Sequence, residues 1–499
     1  MRSPQPCAPD QLSRPKQTAV VFLKTHKTAG STVQNILFRF AERHNVTVAL
    51  PGGACGERDH QFCYPRPFSR LFVHPLTRPP GIVASHLRPG LSELRALVPT
   101  ESTFITIVRE PASMFESLFS YYGQHCASFR HVPNHSIAAF LRRPAAYYRP
   151  ADHYAMYARN SLIFDLGGDP NRDPGDEAYL RAFILGLESV FSLVMVAEHF
   201  DESLVLLRRL LAWDLEDVTY VRLNARSEAS RTRLAGDLPE KARRWNWLDA
   251  RLYQHFNATL WRKLRALGLE CVERELGLLR QANRRLSRDC FGGAGAEPPA
   301  RQASQIRDKD LRPWQPSHKV RILGYELPRN LSLPAPLAAS CLQLITPEVS
   351  YSRQLLKKAA TRARARRRTT ASHLLPTPSP PPSPTHPRLS HSSGLLRQLS
   401  SLRPRRVPGH GESGVGRQNR SDGGRNFKAG VRFEKERLMG VKKGSRDLGQ
   451  LRFKEGETQA ESQEQSDPGL EIKIGCFIEV ESGIASGSAV DSVPFSFTF

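Results

Sequence analysis

A loop rich in lysine, threonine and serine follows a short apolar run near the start of the chain. Residues 24–32 read Lys-Thr-His-Lys-Thr-Ala-Gly-Ser-Thr, and the residues at 19–23 before them are apolar. Over residues 33–40 the apolar side chains recur at helical spacing. A helix that begins here presents oriented backbone N–H groups and a partial positive charge, to which Lys27 adds a full charge. The segment therefore predicts a site for a phosphate-like anion.

The order of residues in this loop differs from the order in ATP and GTP loops. In Gly-x-x-x-x-Gly-Lys-Ser/Thr the lysine follows the glycines, whereas Lys27 precedes Gly30. A nucleotide-dependent kinase would also need metal-holding carboxylates near the loop. An ordinary α/β connection without a ligand is the other alternative, so a second element is needed to decide.

A second strand-to-helix segment supplies an arginine and a serine that suit a phosphate. Residues 104–108 predict a buried strand, and Arg109 follows at its carboxyl end. Ser117 comes eight positions later, about two turns into the next predicted helix. Because open α/β sheets bind ligands beyond the carboxyl ends of their strands, we expect Arg109 and Ser117 to reach one phosphate near Lys27. The alternatives are an ion pair between Arg109 and Glu110, and a serine merely tolerated in a helix.

The candidate general base is a histidine that follows a third apolar segment. Residues 81–85 predict a short strand leading to the same edge of the sheet, and His86 comes next. Histidine titrates near neutral pH, so it can accept a hydroxyl proton within hydrogen-bonding reach. A structural histidine with satisfied hydrogen bonds is the alternative. His26, Glu198 and His199 are weaker candidates for acid–base chemistry.

The elements that must position these residues predict an α/β fold with a mainly parallel central sheet flanked by helices. A fourth predicted strand covers residues 191–197, and Asp201 after it is expected to cap a helix. Further helical patterns cover residues 240–267 and 272–286.

Taken together, these motifs resemble the donor site of sulfotransferases. The sequence Phe-Leu-Lys-Thr-His-Lys-Thr-Ala-Gly-Ser-Thr at residues 22–32 is similar in its wording to the galactose 3-O-sulfotransferases of the Golgi, and the Arg-Glu-Pro segment with Ser117 agrees with it. The resemblance covers residues 18–357, with further matches at residues 84–88, 197–204, 223–226, 305–307 and 313–315.

The resemblance implies a sulfotransferase-type, P-loop-like fold and 3′-phosphoadenosine 5′-phosphosulfate (PAPS) as the co-substrate, with no metal. Arg109 and Ser117 would hold the 3′-phosphate. His86 would be the catalytic base, and Lys27 would stabilise the leaving phosphate. Many sulfotransferases carry proline where this chain has His26, so the role of His26 stays open. The 5′-phosphosulfate would be held by Lys24, Lys27, Thr28, Ala29, Gly30, Ser31 and Thr32.

The implied reaction is transfer of sulfonate to the 3-hydroxyl of a terminal β-galactose on glycoprotein glycans of the N-acetyllactosamine type. A galactosylceramide sulfotransferase acting on glycolipid and a non-catalytic glycan-binding relative are the alternatives. Arg226 either helps to hold a substrate or is a solvated arginine. No His-Glu-x-x-His or paired Cys-x-x-Cys motif predicts a metal site.

Composition divides the chain of 499 residues into three parts. Residues 1–17 are polar, residues 18–356 have the apolar patterning of a catalytic domain, and residues 357–499 are basic and rich in Pro, Ser and Gly, which predicts a disordered tail. The net charge of +24 would suit a nucleic-acid partner. Much of that excess lies in the tail, and no nucleic-acid-binding motif is present, so no such partner is expected.

Cysteines and glycosylation sequences point to an oxidising secretory compartment. Six cysteines fall in the predicted catalytic domain, and Cys55 with Cys63 would close a short loop. Acceptor sequences for N-glycosylation begin at Asn45, Asn134, Asn257, Asn330 and Asn419. The first residues contain neither a signal peptide nor a membrane span. Family members are Golgi membrane proteins with a signal-anchor, so the resemblance implies a lumenal Golgi enzyme whose anchor is missing from this chain.

Overall fold

The computed structural model describes residues 14–55, 61–292, 298–317, 320–329 and 331–373. The side chains of the last helix are described as far as residue 366. Most of the predicted tail, from residue 374 onward, lies outside the described residues, as do Asn330, Asn419 and the first 13 residues.

A parallel four-stranded sheet forms the centre of the fold. Its strands stand in the order β2 (Ile82–Val83), β1 (Val20–Leu23), β3 (Thr103–Val108) and β4 (Leu193–Val196), and every neighbouring pair is parallel. Their side chains are almost all buried, as expected for a parallel sheet covered on both faces. A separate antiparallel pair joins β5 (Arg301–Gln302) to β6 (Leu323–Gly324).

Helices cover both the sheet and one another, and the predicted α/β fold with a parallel sheet is confirmed. Apolar residues on α1, on α3 and on the strands share one core, which includes Ile36, Phe115 and Phe22. The helices are α1 (Gly30–Arg43), α2 (Leu91–Arg95), α3 (Pro111–Tyr122), α4 (Ala127–Arg130), α5 (Ile137–Arg142), α6 (Pro144–Tyr147), α7 (Ser161–Asp165), α8 (Glu177–Val190), α9 (Phe200–Leu211), α10 (Leu238–Trp245), α11 (Trp247–Leu267), α12 (Leu269–Phe291), α13 (Ala335–Ile345) and α14 (Glu348–His373).

Two local expectations about helix ends were wrong. The helical pattern at residues 240–267 is split at Asn246, whose side chain donates to Ala242 O at 2.9 Å and accepts from the backbone N of Asn160 at 2.8 Å. Asp201 does not cap α9, because His199 is the N-cap residue and Asp201 lies in the first turn. There it accepts a hydrogen bond from the hydroxyl of Tyr220 at 2.6 Å.

The last helix crosses the predicted start of the tail. α14 runs through position 357 to His373, because the Ala-, Lys- and Arg-rich sequence there consists of strong helix formers. The predicted disorder therefore does not apply to residues 357–373, and the remaining domain boundaries stay a prediction.

Two disulfides are described. The bond Cys55–Cys63 forms as the sequence spacing suggested. The bond Cys290–Cys341 joins the end of α12 to α13.

Candidate active site

The loop between β1 and α1 turns sharply at two residues. Lys27 and Ala29 have φ angles of 60° and 67°, in the left-handed region that L-residues rarely occupy. Such backbone strain persists only where the surroundings fix it, and it clusters at ligand sites. A Cβ at Gly30 would lie 2.9 Å from Cγ of Lys24, so a glycine lets the side chain of Lys24 pass close to the start of α1.

Threonine hydroxyls hold the loop in this shape. Thr25 donates to Ile107 O in β3, and its oxygen lies 2.8 Å from the hydroxyl oxygen of Thr28. The hydroxyl of Thr32 accepts from the backbone N of Leu223 at 3.1 Å. These side chains therefore fix the loop against the sheet edge and against the segment that follows α9.

The ammonium of Lys27 lies 3.6 Å from the centroid of the Tyr121 ring. Arg109, at the carboxyl end of β3, donates to Lys27 O at 2.8 Å, so the predicted strand-end arginine does meet the loop. Burial, reinforced by the charges of Arg226 and Arg109, lowers the pKa of Lys27 well below its usual value. A bound anion would reverse that effect, because an opposite charge favours the protonated form.

Lys24 is buried and forms an ion pair with Glu348, the first residue of α14. It also donates to Oε1 of Gln34 at 2.8 Å. The hydroxyl of Ser31 donates to Glu348 at 3.3 Å and accepts from the side chain of Asn224 at 3.4 Å. A carboxylate therefore already occupies the neighbourhood of two predicted donor-binding residues.

Arg226 is neither solvated nor free for a ligand. It is buried and forms a two-point ion pair with Glu116 of α3, in which Nη1 to Oε1 measures 3.0 Å. The backbone N of Thr232 donates to the same carboxylate at 3.0 Å. Ser117, the neighbour of Glu116, is buried, and within the described part of the chain no hydrogen bond joins it to Arg109.

The ring of His86 is oriented by a backbone carbonyl. Its Nδ1 lies 3.0 Å from Lys24 O, and a carbonyl can only accept, so Nδ1 is assigned as the donor. In the neutral ring Nε2 then carries the lone pair. That tautomer is the one a general base requires.

A second histidine stacks on the first. The rings of His26 and His86 are 4.1 Å apart and nearly parallel, at 11°. Asp165 accepts from the backbone N of His26 at 2.7 Å, lies 3.0 Å from its Nδ1, and accepts from the hydroxyl of Tyr64 at 2.7 Å. The hydroxyl of Tyr157 lies 3.4 Å from Nε2 of His26. His26, which stands where many sulfotransferases have proline, thus stacks against His86 and helps to hold its ring in position.

Residues at the start of α11 hold the helix that carries Asp165. Asp249 accepts from the backbone N of Leu162 at 3.1 Å and of Ile163 at 3.0 Å, in the first turn of α7. Burial, together with the charge of Asp165, raises the pKa of Asp249 to about 7, although the two backbone hydrogen bonds act to lower it.

The weaker acid–base candidates have structural partners. Glu198 accepts from the backbone N of Glu110 at 3.1 Å and lies 3.9 Å from Arg109. His199 occupies the N-cap position of α9 without a side-chain capping hydrogen bond, and its ring meets that of Trp261 edge-on. Glu110 itself caps α3, accepting from the backbone N of two residues in its first turn, so the alternative of an Arg109–Glu110 pair was wrong.

Sequence reasoning placed the loop lysines, Arg109 and His86 together, and the structure has them at one sheet edge. It missed the residues that support them. Glu116 carried a weak signal, because a carboxylate on an apolar helix face needs a partner. Asp165, Tyr64 and Glu348 carried none, because their partners are distant in the sequence.

Neither a metal site nor a membrane span is found among the described residues. No group of three or more His, Cys, Asp or Glu side chains in these ranges could hold a metal ion. No helix in the described part of the chain is both long and apolar enough to cross a membrane.

The parallel sheet, flanked by helices and with a lysine-bearing loop between β1 and α1, is consistent with a sulfotransferase-type fold. Comparison with known protein families identifies the family to which the chain belongs. The sequence model described as Galactose-3-O-sulfotransferase matches residues 2–359. The chain therefore belongs to the galactose-3-O-sulfotransferase family, which is a family of enzymes.

Curated relatives agree with that membership. The chain is 58% identical over 388 residues to galactose-3-O-sulfotransferase 3 of Bos taurus, a match that covers 76% of this chain and 87% of the relative. The Homo sapiens protein of the same name is also 58% identical, over 76% of this chain and 86% of its own length. Galactosylceramide sulfotransferase of Mus musculus is 43% identical over 66% of this chain and 76% of the relative.

Proposed function

We propose that this chain transfers sulfonate from PAPS to the 3-hydroxyl of a terminal β-galactose. Its acceptors are glycoprotein glycans of the N-acetyllactosamine type, and its location is the Golgi membrane with the catalytic domain in the lumen. The higher identity to proteins named galactose-3-O-sulfotransferase 3 than to galactosylceramide sulfotransferase supports the glycoprotein acceptor over the glycolipid. The wording of residues 60–66 and 118–122 also resembles the former.

The observation that carries the proposal is the cationic loop facing an oriented histidine. Lys27 and Arg109 lie together with pKa values lowered by burial, which suits a ligand that brings negative charge. His86 lies beside the same loop through Lys24 O. The residues present thus fit a donor that carries phosphates and a sulfonate.

The chemistry follows from these positions. Nε2 of His86 takes the proton of the galactose 3-hydroxyl as its oxygen forms a bond to sulfur. The bond between sulfur and the 5′-phosphate oxygen breaks, and the electron pair leaves with 3′-phosphoadenosine 5′-phosphate (PAP). Lys27 stabilises the charge that appears on that phosphate oxygen, which lowers the barrier because this charge develops only in the transition state.

The test is a transfer assay on the full chain produced in a secretory host. Radiolabelled PAPS is offered with a galactose-terminated disaccharide or its 3-deoxygalactose analogue, with a chelator present. We expect label on the disaccharide alone. Folded protein that binds PAP but labels neither compound, or that labels both equally, would contradict the proposal.

A further inference from the structure

An exposed tryptophan lies one ring away from the catalytic lysine. Trp314 has 55% of its surface exposed, whereas the other large apolar side chains of comparable exposure in the described ranges are leucines. Its ring centroid is 5.6 Å from that of Tyr121, and the ammonium of Lys27 lies on Tyr121. The rings of Trp314 and Tyr121 therefore join the surface at residue 314 to the point where the leaving phosphate would be.

The segment that carries Trp314 is held in place from both sides. The side-chain amide of Gln315 donates to Pro313 O and to Ile322 O, each at 3.0 Å, and its oxygen accepts from the backbone N of Ile322 at 2.8 Å. A Cβ on Gly324 would lie 2.8 Å from Cδ of Pro313, so the chain packs closely there. Trp314 thus stands on a fixed stretch of backbone with its ring against Tyr121, so it loses little freedom when a ligand covers it.

The chemistry of galactose suits such a surface. Its axial 4-hydroxyl stands on one face of the pyranose ring, and the opposite face presents C–H groups. The face of an aromatic ring carries negative charge density that attracts such polarised groups, in the same way as it attracts cations. A galactose stacked through that face keeps its equatorial 3-hydroxyl at the ring edge, free to meet a base.

We propose that Trp314 is the acceptor platform of this enzyme, stacking against the apolar face of the galactose that receives the sulfonate. The inference rests on the proposed function, since it names the binding surface for that acceptor. His125, whose ring centroid is 6.2 Å from that of Trp314, borders the same surface.

The first experiment measures transfer to methyl β-galactoside, a probe that contains only the ring in question. Trp314→Ala lowers kcat/KM roughly fivefold to tenfold, whereas Trp314→Phe, which keeps an aromatic face, stays within about threefold of the wild type. Affinity for PAP is unchanged in both. Leu185→Ala is the matched control, because Leu185 is an equally exposed apolar residue on α8. Unchanged kcat/KM in Trp314→Ala, or equal losses in Trp314→Ala and the control, would overturn the inference.

The second experiment reports on binding without transfer. The other four tryptophans are buried or partly buried, so acrylamide quenches Trp314 preferentially. Methyl 3-deoxy-β-galactoside with PAP shields the fluorescence of the wild type, and Trp314→Phe shows no such shielding. If the galactoside shields Trp314 from quenching but the enzyme transfers no sulfonate to galactosides, the proposed reaction is contradicted and the role of Trp314 stands. If the wild type transfers sulfonate but Trp314 is not shielded, only the role of Trp314 is contradicted.

Discussion

The ammonium of Lys27 lies on Tyr121 with two guanidinium groups close enough to lower its pKa. Burial likewise raises the pKa of Tyr121, so the phenol beneath the ammonium stays neutral and offers it no charge. The carboxylate that counteracts this lowering is Glu116, and Arg226 already pairs with it at two points. A bound phosphosulfate would therefore stabilise the charged form of these buried side chains more strongly than it would stabilise a solvated lysine.

Removal of Lys27 is expected to lower kcat, whereas removal of Arg109 is expected to weaken PAP binding. Lys27→Ala lowers kcat about a hundredfold to a thousandfold, because it removes a charge that acts on the leaving phosphate. Arg109→Ala leaves kcat nearer the wild type and weakens PAP binding roughly tenfold to a hundredfold, as loss of charge-assisted hydrogen bonds does.

Steady-state transfer assays and calorimetric PAP titrations separate the two effects. Arg172→Ala is the control, because Arg172 is half exposed and pairs with Asp169 on the surface. Normal turnover and normal PAP affinity in both test variants would show that the anion site lies elsewhere.

Asp165 is expected to act on the reaction through His26 and His86. Asp165→Asn places an amide group against two donors, so the histidine stack shifts and kcat falls about tenfold to a hundredfold. PAP affinity falls less than kcat, because Asp165 contacts the loop through the backbone N of His26 and not through Lys27 or Arg109. Tyr64→Phe removes one of the hydrogen bonds to Asp165 and has a smaller effect.

The readout for Asp165 must distinguish positioning from general damage. We expect Asp165→Asn to change the pH profile of kcat, which reports the ionisation of the base in the ternary complex. A loss of PAP binding in proportion to the loss of kcat, with an unchanged pH profile, would instead identify Asp165 as purely structural.

At the scale of elements, the strands and helix starts that depend only on neighbouring residues could be predicted from the sequence. β1, β3 and β4 follow from short apolar runs, and Pro111 opens α3 as its fixed φ favours. The break at Asn246 and the start of α9 were mispredicted: Asn246 accepts a hydrogen bond from Asn160, 86 positions earlier, and Asp201 accepts one from Tyr220 instead of capping the helix. Periodicity does not contain such tertiary contacts.

Asp249 makes the link between α11 and α7 sensitive to pH. Its pKa rises from 3.8 to about 7 in the folded chain, so the folded state binds a proton that the unfolded chain releases between those values. Stability therefore falls as pH rises from about 4 to 7, and outside that range this group adds no further pH dependence.

Asp249→Asn keeps an acceptor for α7 and removes the titration. We expect its unfolding free energy, relative to that of the wild type, to improve by on the order of 3 kcal/mol between pH 4 and 7. Chemical denaturation at several pH values measures the difference. Asp173→Asn, at an exposed position before α8, should track the wild type throughout. A constant offset between Asp249→Asn and the wild type would contradict the raised pKa.

At the scale of the whole molecule, the site is completed by the end of the described chain. α14 brings Glu348 to Lys24 and to Ser31, more than 300 positions earlier in the sequence. The same helix is attached to the far end of α1, where the hydroxyl of Tyr351 donates to Glu42 at 2.9 Å. No local pattern could predict these contacts, so Lys24 was expected to face the donor and not a carboxylate.

Glu348 is expected to oppose the donor. Its negative charge lies beside the predicted phosphosulfate loop, and like charges at short range repel strongly where water is excluded. Glu348→Gln should therefore tighten PAP binding about threefold to tenfold, while the loss of the buried pair with Lys24 lowers the unfolding temperature.

Glu42→Gln provides the matched control for Glu348→Gln, because it also weakens the contact between α1 and α14. Glu42 lies about 18 Å along α1 from Gly30, beyond a Debye length at physiological salt, so its removal should lower stability without changing PAP affinity. Calorimetric titration of each variant with PAP, beside a thermal melt, separates charge from packing. Weaker PAP binding in Glu348→Gln would reverse the assignment, since the carboxylate would then be what holds Lys24 in its cationic form for the donor.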